Sequence, residues 1–598
     1  MANESHNPLS KLLDIDFPEV KKANWNVSYD LQTTSDVGYA KPVHTDHILA
    51  GSHVKMDINQ ASFANPTKAP LYGRYRVKYL AFWSPDRLYI PPWRDGDVMV
   101  NDDYPYPVVP SFVRWRAADN FQEETHDSAP IVEPTSLLSY LGMFPANYDP
   151  SIWKGDDYPE PKNALPLLTF WDIYRHYILN PQEDKFPIRV NGFIPQHTDD
   201  GSIVEASNPS NVYPTRLALD QFFKDVRRNY ENNIYDITTP YQVNLGHDIF
   251  SRKLVAYSDS HQGYQPSQIS NAVHLPNYHY GLPIAPYGAD MFTSWVSNEN
   301  VELERNSSKM DVSNGILTMD QWVLASRIQN KVRKSIFKNS DFAQYIDVQY
   351  GIKPPTTLTK PMFLGAFVSD IVFNDVISSA QLGDPNSEAD IKLNNNKNLG
   401  SRAGYGRGTD YDKHNFIEFT AEEPGTLMVL QIVTPEVFYY EGYDEFYDVT
   451  NFNEEFNLAF DGVGFTPLQK AVMNSVPQLF LDPLNRQAYN QLPFSSYNTS
   501  IGQQPYGMMH MAKVNKLSGQ MAEFGVYQSY ALARSFNYVR TLYESSISSN
   551  PNMYSSYIIP EMFNNSFTSF VQDNFQFYLS FDYLKYQPIS KQFLSFHN

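Results

Sequence analysis

Arginine and glycine alternate in one short stretch of this chain: Arg402, Gly404, Gly406, Arg407 and Gly408. Glycine lets backbone approach a phosphate closely, and the guanidinium supplies charge and a fork of donors. A phosphate-cradling loop also needs a strand before it, a helix after it and, in the P-loop, a Lys followed by Ser or Thr. Here Asn-rich sequence precedes the glycines and DYDKHNF follows. Nucleotide binding does not fit. Two readings do: a flexible surface or subunit-contact loop, and a segment that grips single-stranded DNA.

A second charged group is Lys331, Arg333, Lys334 and Lys338, four cations within eight residues of an acidic chain. They end the pattern TMDQWVLASRIQNKVRKSIF, in which Leu324, Ile328, Val332 and Ile336 recur one helical turn apart. Thr318 and Gln321 form a capping box. Cations suit the negative end of a helix dipole, so a solvated, dipole-compensating face is one reading. Contact with DNA or with a neighbouring subunit is the other.

Other chemistry is thin. The pairs His44 and His47, and His274 and His279, have no third ligand at metal-site spacing and read as core or interface histidines. Glu436, Glu441, Asp444 and Glu445 lack the order of a calcium loop and read as a solvated loop. There is no Gly-x-Ser-x-Gly elbow and no His-Glu-x-x-His helix. Cysteine is absent, which removes disulfides, thiolate catalysis and Cys-based metal sites. The expectation is a protein that is not an enzyme, with no cofactor and no metal.

The chain has 598 residues, 42 Tyr, 38 Phe, 42 Pro and a formal net charge of −20. Aromatics favour pleated, half-buried surfaces, and proline punctuates loops and strand ends. So acidic a chain binds nucleic acid only through a local basic surface or a separate basic partner. No apolar run reaches the roughly 20 residues that span a bilayer. The start, MANESHNPLSKLLDIDF, has neither the basic beginning nor the apolar core of a signal peptide.

Several segments carry clear periodicity. Val54, Met56 and Ile58 alternate with His53, Lys55 and Asp57, and Tyr75, Val77 and Tyr79 alternate with Arg74, Arg76 and Lys78. Such alternation predicts strands with one packed and one polar face. Leu427 to Val433 reads as a strand buried on both sides. The tail, Asn574 to Pro588, alternates again, although its Phe575, Phe577, Tyr578, Tyr583, Lys585 and Tyr586 could also stack bases. Leu168, Trp171, Tyr174 and Ile178 predict a buried helix that Pro181 stops. A further helix is expected at 215–231, with Phe222, Phe223 and Val226 facing inward. The polar, Gly- and Asn-rich stretch from Asp384 to Asp410 reads as a loop. The organisation expected is an N-terminal arm at 1–27, one discontinuous β domain at 28–181 and 290–598, and an inserted loop and helix unit at 182–289.

Seven blocks, in order, resemble the major capsid protein of the microviruses, most closely the gokushovirus branch. They are Thr33 to Pro42, Tyr79 to Arg87 (YLAFWSPDR), Ser136 to Pro145, Asp290 to Ser294 (DMFTS), Lys360 to Gly365 (KPMFLG), Glu423 to Gly442, and Phe524 to Tyr538. The resemblance implies a mainly β fold, an eight-stranded antiparallel jelly roll with long loop insertions carrying a few helices. It implies assembly in the bacterial cytoplasm into a sixty-copy T=1 shell, the virion, around circular single-stranded DNA. The partners implied are further copies of the chain, a small basic DNA-binding protein, other minor virion proteins and a host surface receptor, with no membrane. The alternative from another class is a carbohydrate-binding or glycoside-processing β-sandwich, which would need a cleft lined with aromatics and a carboxylate pair.

Overall fold

The alternating segments pair with one another over very long sequence separations. In the computed structural model the described residues are 22–67, 70–90, 93, 111–114, 135–143, 162–163, 165–179, 219–220, 223, 242–245, 282–285, 359–379, 401–410, 416–440, 442–451, 455–458, 465–469, 472, 500–522, 532–534, 567 and 573–589. Among these residues the chain is mainly β.

The first block supplies β1 (Ala23–Asn26), β2 (Tyr29–Ser35), β3 (Ala40–Ile48), β4 (His53–Ala64) and β5 (Gly73–Pro85). Three short strands, β6 (Ser111–Arg114), β7 (Lys162–Asn163) and β8 (Gln242–Leu245), make a small separate sheet. The strands β9 (Met362–Ser379), β10 (Ser401–Asp410), β11 (Ile417–Thr420) and β12 (Gly425–Pro435) return to the main sheet. Beyond it β13 (Phe438–Tyr439) pairs with β16 (Ala533–Arg534), and β14 (Phe465–Gln469) with β15 (Ser500–Pro505). Strand β17 (Phe575–Gln587) brings the end of the chain back to its beginning.

The main sheet has ten strands in the order β1-β17-β4-β10-β9-β5-β12-β3, with β2 also on β17 and β11 also on β4. All its pairings are antiparallel. The sheet curls around the alternate residues of each strand. Val54, Met56, Ile58, Tyr75, Val77 and Tyr79 are each fully buried there, as are Leu579 and Phe581 of β17. Each such side chain contributes roughly 1.5–3 kcal/mol by leaving water. A buried polar link fixes the register inside this core. The Tyr79 hydroxyl donates to Gln60 (2.5 Å) and accepts from Gln431 (3.0 Å), while the Gln60 amide donates to Ser369 (2.9 Å). It ties β5, β4, β12 and β9 together.

Strand β12 is buried on both faces, as its unbroken apolar run requires. Leu427, Val429 and Val433 enter the curled core. Met428, Leu430 and Ile432 enter a second cluster with α2 (Leu165–Ile173). That helix follows α1 (Leu137–Tyr140), capped by Ser136. It runs into a π-helical turn over Tyr174–Ile178. Leu219, Phe223, Leu282 and Ala285, all from the expected insertion, are buried in the same cluster. The arginine of the π turn, Arg175, stacks 4.3 Å from the Phe223 ring centroid and pairs with buried Asp172 (2.5 Å).

One expectation needs correction. Residues 401–410 are not a loop but β10, an interior strand hydrogen-bonded to β9 on one side and β4 on the other. Within the expected arm, residues 23–26 form the strand β1 against β17. Phe222 and Val226 lie outside the described residues.

Candidate functional site

Strand β3 ends the sheet on one side, and β2 lies with β17 at the other. The curl brings these ends together, and side chains close the seam. The Lys41 ammonium donates to Thr33 Oγ1 (3.1 Å) and to the Thr34 carbonyl (2.6 Å) of β2. His44 Nδ1 and the Tyr29 hydroxyl share a 2.8 Å hydrogen bond. Asp46 accepts from the Tyr583 hydroxyl (2.6 Å) and pairs with Lys585, both on β17.

A bulge makes this possible. Against β12, His44 faces Val429 but Pro42 faces Leu430, so Val43 is an extra residue. One extra residue inverts the alternation that follows it. Lys41, His44 and Asp46 therefore share the inward face, opposite Gln431, Val429 and Leu427. His47 points the other way and bonds Asp86 (2.8 Å) of the 3-10 turn after β5.

Burial sets the proton affinities here. It pushes the Lys41 amine down to about 7 against the pull of Asp573. It pushes His44 down to about 4, with Lys585 adding to the effect and Asp46 opposing it. Tyr29 and Tyr583 are raised by burial and then by the Asp46 charge. His47 is raised, chiefly by its bond to Asp86. The Lys41 cation lies 5.1 Å from the Tyr140 ring centroid and 5.7 Å from that of Phe577. Beside it a cavity of about 10 Å³, lined by Ser35, Asp36, Tyr140 and Asp573, has room for one water. The seam can exchange protons, but that cavity admits no larger substrate.

The outer surface of the sheet carries apolar side chains among charges. Val372, Arg407 and Phe63 form one cross-strand row on β9, β10 and β4. The Arg407 guanidinium lies 5.9 Å from the Phe63 ring centroid. Phe63, Val368, Val372, Tyr578, Leu584 and Tyr586 are exposed. Arg74 bridges Glu436 (2.7 Å) and Asp370 (3.1 Å).

Past β13, Tyr447 is 77% and Leu458 is 80% exposed, and Phe446 and Met511 are exposed as well. Asp444 accepts from Lys513 (2.9 Å) and Lys516 (3.2 Å), and these partners hold its carboxyl down to about 2. Glu445 accepts from Gln504 and is raised by burial.

Of the candidate residues, Arg402, Gly404, Gly406, Arg407 and Gly408 lie on β10. Gly408 is needed for close packing, since a Cβ there would sit 2.7 Å from Ser62 Oγ and 2.8 Å from the Asp370 carbonyl. Lys331, Arg333, Lys334 and Lys338 lie outside the described residues, as do His274, His279 and Glu441. His44 is a core histidine, as expected. The acidic run is not simply solvated: Glu436 and Asp444 are ion-paired. Among the described residues no group of three or more His, Asp or Glu is placed to hold a metal. No described helix is long and apolar enough to cross a membrane.

Sequence reading missed the seam. Its only local signal was a Lys, a His and an Asp within six residues of a β-like segment, without the bulge that aligns them. No protein-family model matches the chain, and no curated protein matches it.

Proposed function

We propose that this chain is a viral major capsid protein of the microvirus type, a structural subunit and not an enzyme. In this reading the curled sheet is an eight-stranded jelly roll with added edge strands. Sixty copies form a T=1 shell, the virion, around circular single-stranded DNA. The observation that carries the reading is the exposure of apolar side chains outside a closed β core, at Phe63, Val368, Val372, Leu584, Tyr447 and Leu458. A monomer keeps such patches small, whereas a subunit that assembles covers them. The placing of the capsid-like blocks supports it. Thr33 to Pro42, Tyr79 to Arg87, Lys360 to Gly365 and Glu423 to Gly442 fall on β2–β3, β5, β9 and β12–β13.

With a net charge of −20 per copy, DNA contact falls to local cations and to a small basic partner. Other minor virion proteins and a host surface receptor complete the partners. The cations at Lys331, Arg333, Lys334 and Lys338 remain the leading DNA-facing candidates. Replacing all four with Gln lowers genome retention while empty shells still form. Each lost single-strand phosphate contact flattens the log-log salt slope by about 0.7.

Size-exclusion chromatography with light scattering, followed by negative-stain microscopy, tests the reading. Closed particles, with several thousand Å² buried per subunit on the order expected of obligate interfaces, support it. A chain that stays monomeric at all concentrations overturns it.

A further inference from the structure

His44 lies where the two ends of the curled sheet meet. Its ring is 5.8 Å from Tyr29 in stacked geometry, 5.5 Å from Phe581 and 5.1 Å edge-on to Tyr583. Nδ1 is satisfied by Tyr29 (2.8 Å), but Nε2 is buried without a partner among the described residues. A second proton makes both ring nitrogens donors, so Nδ1 can no longer accept from Tyr29 and the ring becomes a cation buried among three aromatic rings with no acceptor for its Nε2–H.

From this geometry we infer that the β3 seam is an acid-released latch: protonation of His44 frees β3 from β2 and β17 while β3 stays hydrogen-bonded to β12. The reading concerns contacts within one chain and does not depend on capsid assembly.

The groups facing His44 determine the direction. From β2 comes Tyr29, and from β17 come Tyr583 and Lys585. From β3 itself come Asp46, which pairs Lys585, and His47 on the opposite face. The packed ring takes a proton only near 4, because burial and Lys585 outweigh Asp46. A released ring takes it near 6.5. The closed seam is therefore at full strength above about 6.5 and weakens as pH falls toward 4. Lys41 adds at most about twofold to this window, at its upper edge, since its amine is charged below about 7 in the closed seam and throughout when released. His47 acts on the hinge side: acid strengthens its bond to Asp86.

Thiol labelling tests the latch, using Val43→Cys on buried β3 in this cysteine-free chain, at pH 7 and pH 5 and normalised to the rate of a free thiol. One extra proton taken up on opening raises the normalised rate by about twentyfold across this range. Val77→Cys, in the central strand β5, shows no such rise. An equal rise at Val77→Cys, or none at Val43→Cys, overturns the inference. In His44→Gln, which keeps an acceptor for Tyr29, the pH dependence disappears; its persistence overturns the assignment to His44. Lys585→Met removes a neighbouring cation, so the closed ring takes its proton at higher pH and the acid effect between pH 7 and pH 5 shrinks; an undiminished acid effect is equally fatal.

Discussion

The Tyr583 hydroxyl donates to Asp46 over 2.6 Å, although 537 positions separate the two residues in sequence. Asp46 is on β3 and Tyr583 on β17, strands that share no backbone ladder with each other. Side chains alone join them.

That makes Asp46 a test of the closure. In Asp46→Ala, Lys585 loses its partner while only 9% exposed, and Tyr583 loses its acceptor. Orphaned buried polar groups of this kind cost about 2–4 kcal/mol. The urea midpoint should fall accordingly. Asp46→Leu combined with Lys585→Met should recover most of the loss, because the unpaired charge is gone.

Lys41 makes stability rise with pH above neutrality. Its amine is held near 7 when folded and returns to the ordinary lysine range when unfolded. Between these values the unfolded chain binds the extra proton, so raising pH favours the folded state by about 1 kcal/mol per unit. Denaturation at pH 7 and pH 9 should show this gain in the native chain. Lys41→Met should flatten it, and an unchanged slope would refute the assignment.

Gly408 holds β10 against its neighbours. Gly408→Ala forces a methyl onto Ser62 Oγ and the Asp370 carbonyl. Overpacking of this kind costs about 1–3 kcal/mol, read from thermal unfolding. Adding Ser62→Ala should restore only part of it, because the backbone clash with Asp370 remains.

The exposed pair Tyr447 and Leu458 separates assembly from folding. Tyr447→Ser with Leu458→Ser should leave subunit stability within about 0.5 kcal/mol, since both side chains are already largely in water. Particle yield should drop if these residues are covered in a shell. Undiminished assembly would show that this patch faces solvent.

The individual strands were legible without coordinates. Val54, Met56 and Ile58, then Tyr75, Val77 and Tyr79, declare their buried face through period-two alternation, and Leu427 to Val433 declares a strand buried on both sides. Alternation is a local property, fixed by backbone pleat and by which side chains tolerate water. The strand β10 escaped notice because its glycines, read locally, favour turns. It forms because β9 and β4 satisfy its backbone on both edges and leave no room for a Cβ at Gly408. The seam escaped notice for two reasons. Lys41, His44 and Asp46 share a face only through the bulge at Val43, and the Asp46 partners Tyr583 and Lys585 lie more than 500 residues away. Sequence alone therefore determined the strands whose side chains alternate or run apolar, and which of their faces are buried. Tertiary structure decided which strands meet and which charges are buried together, because closing a sheet depends on contacts that no local pattern encodes.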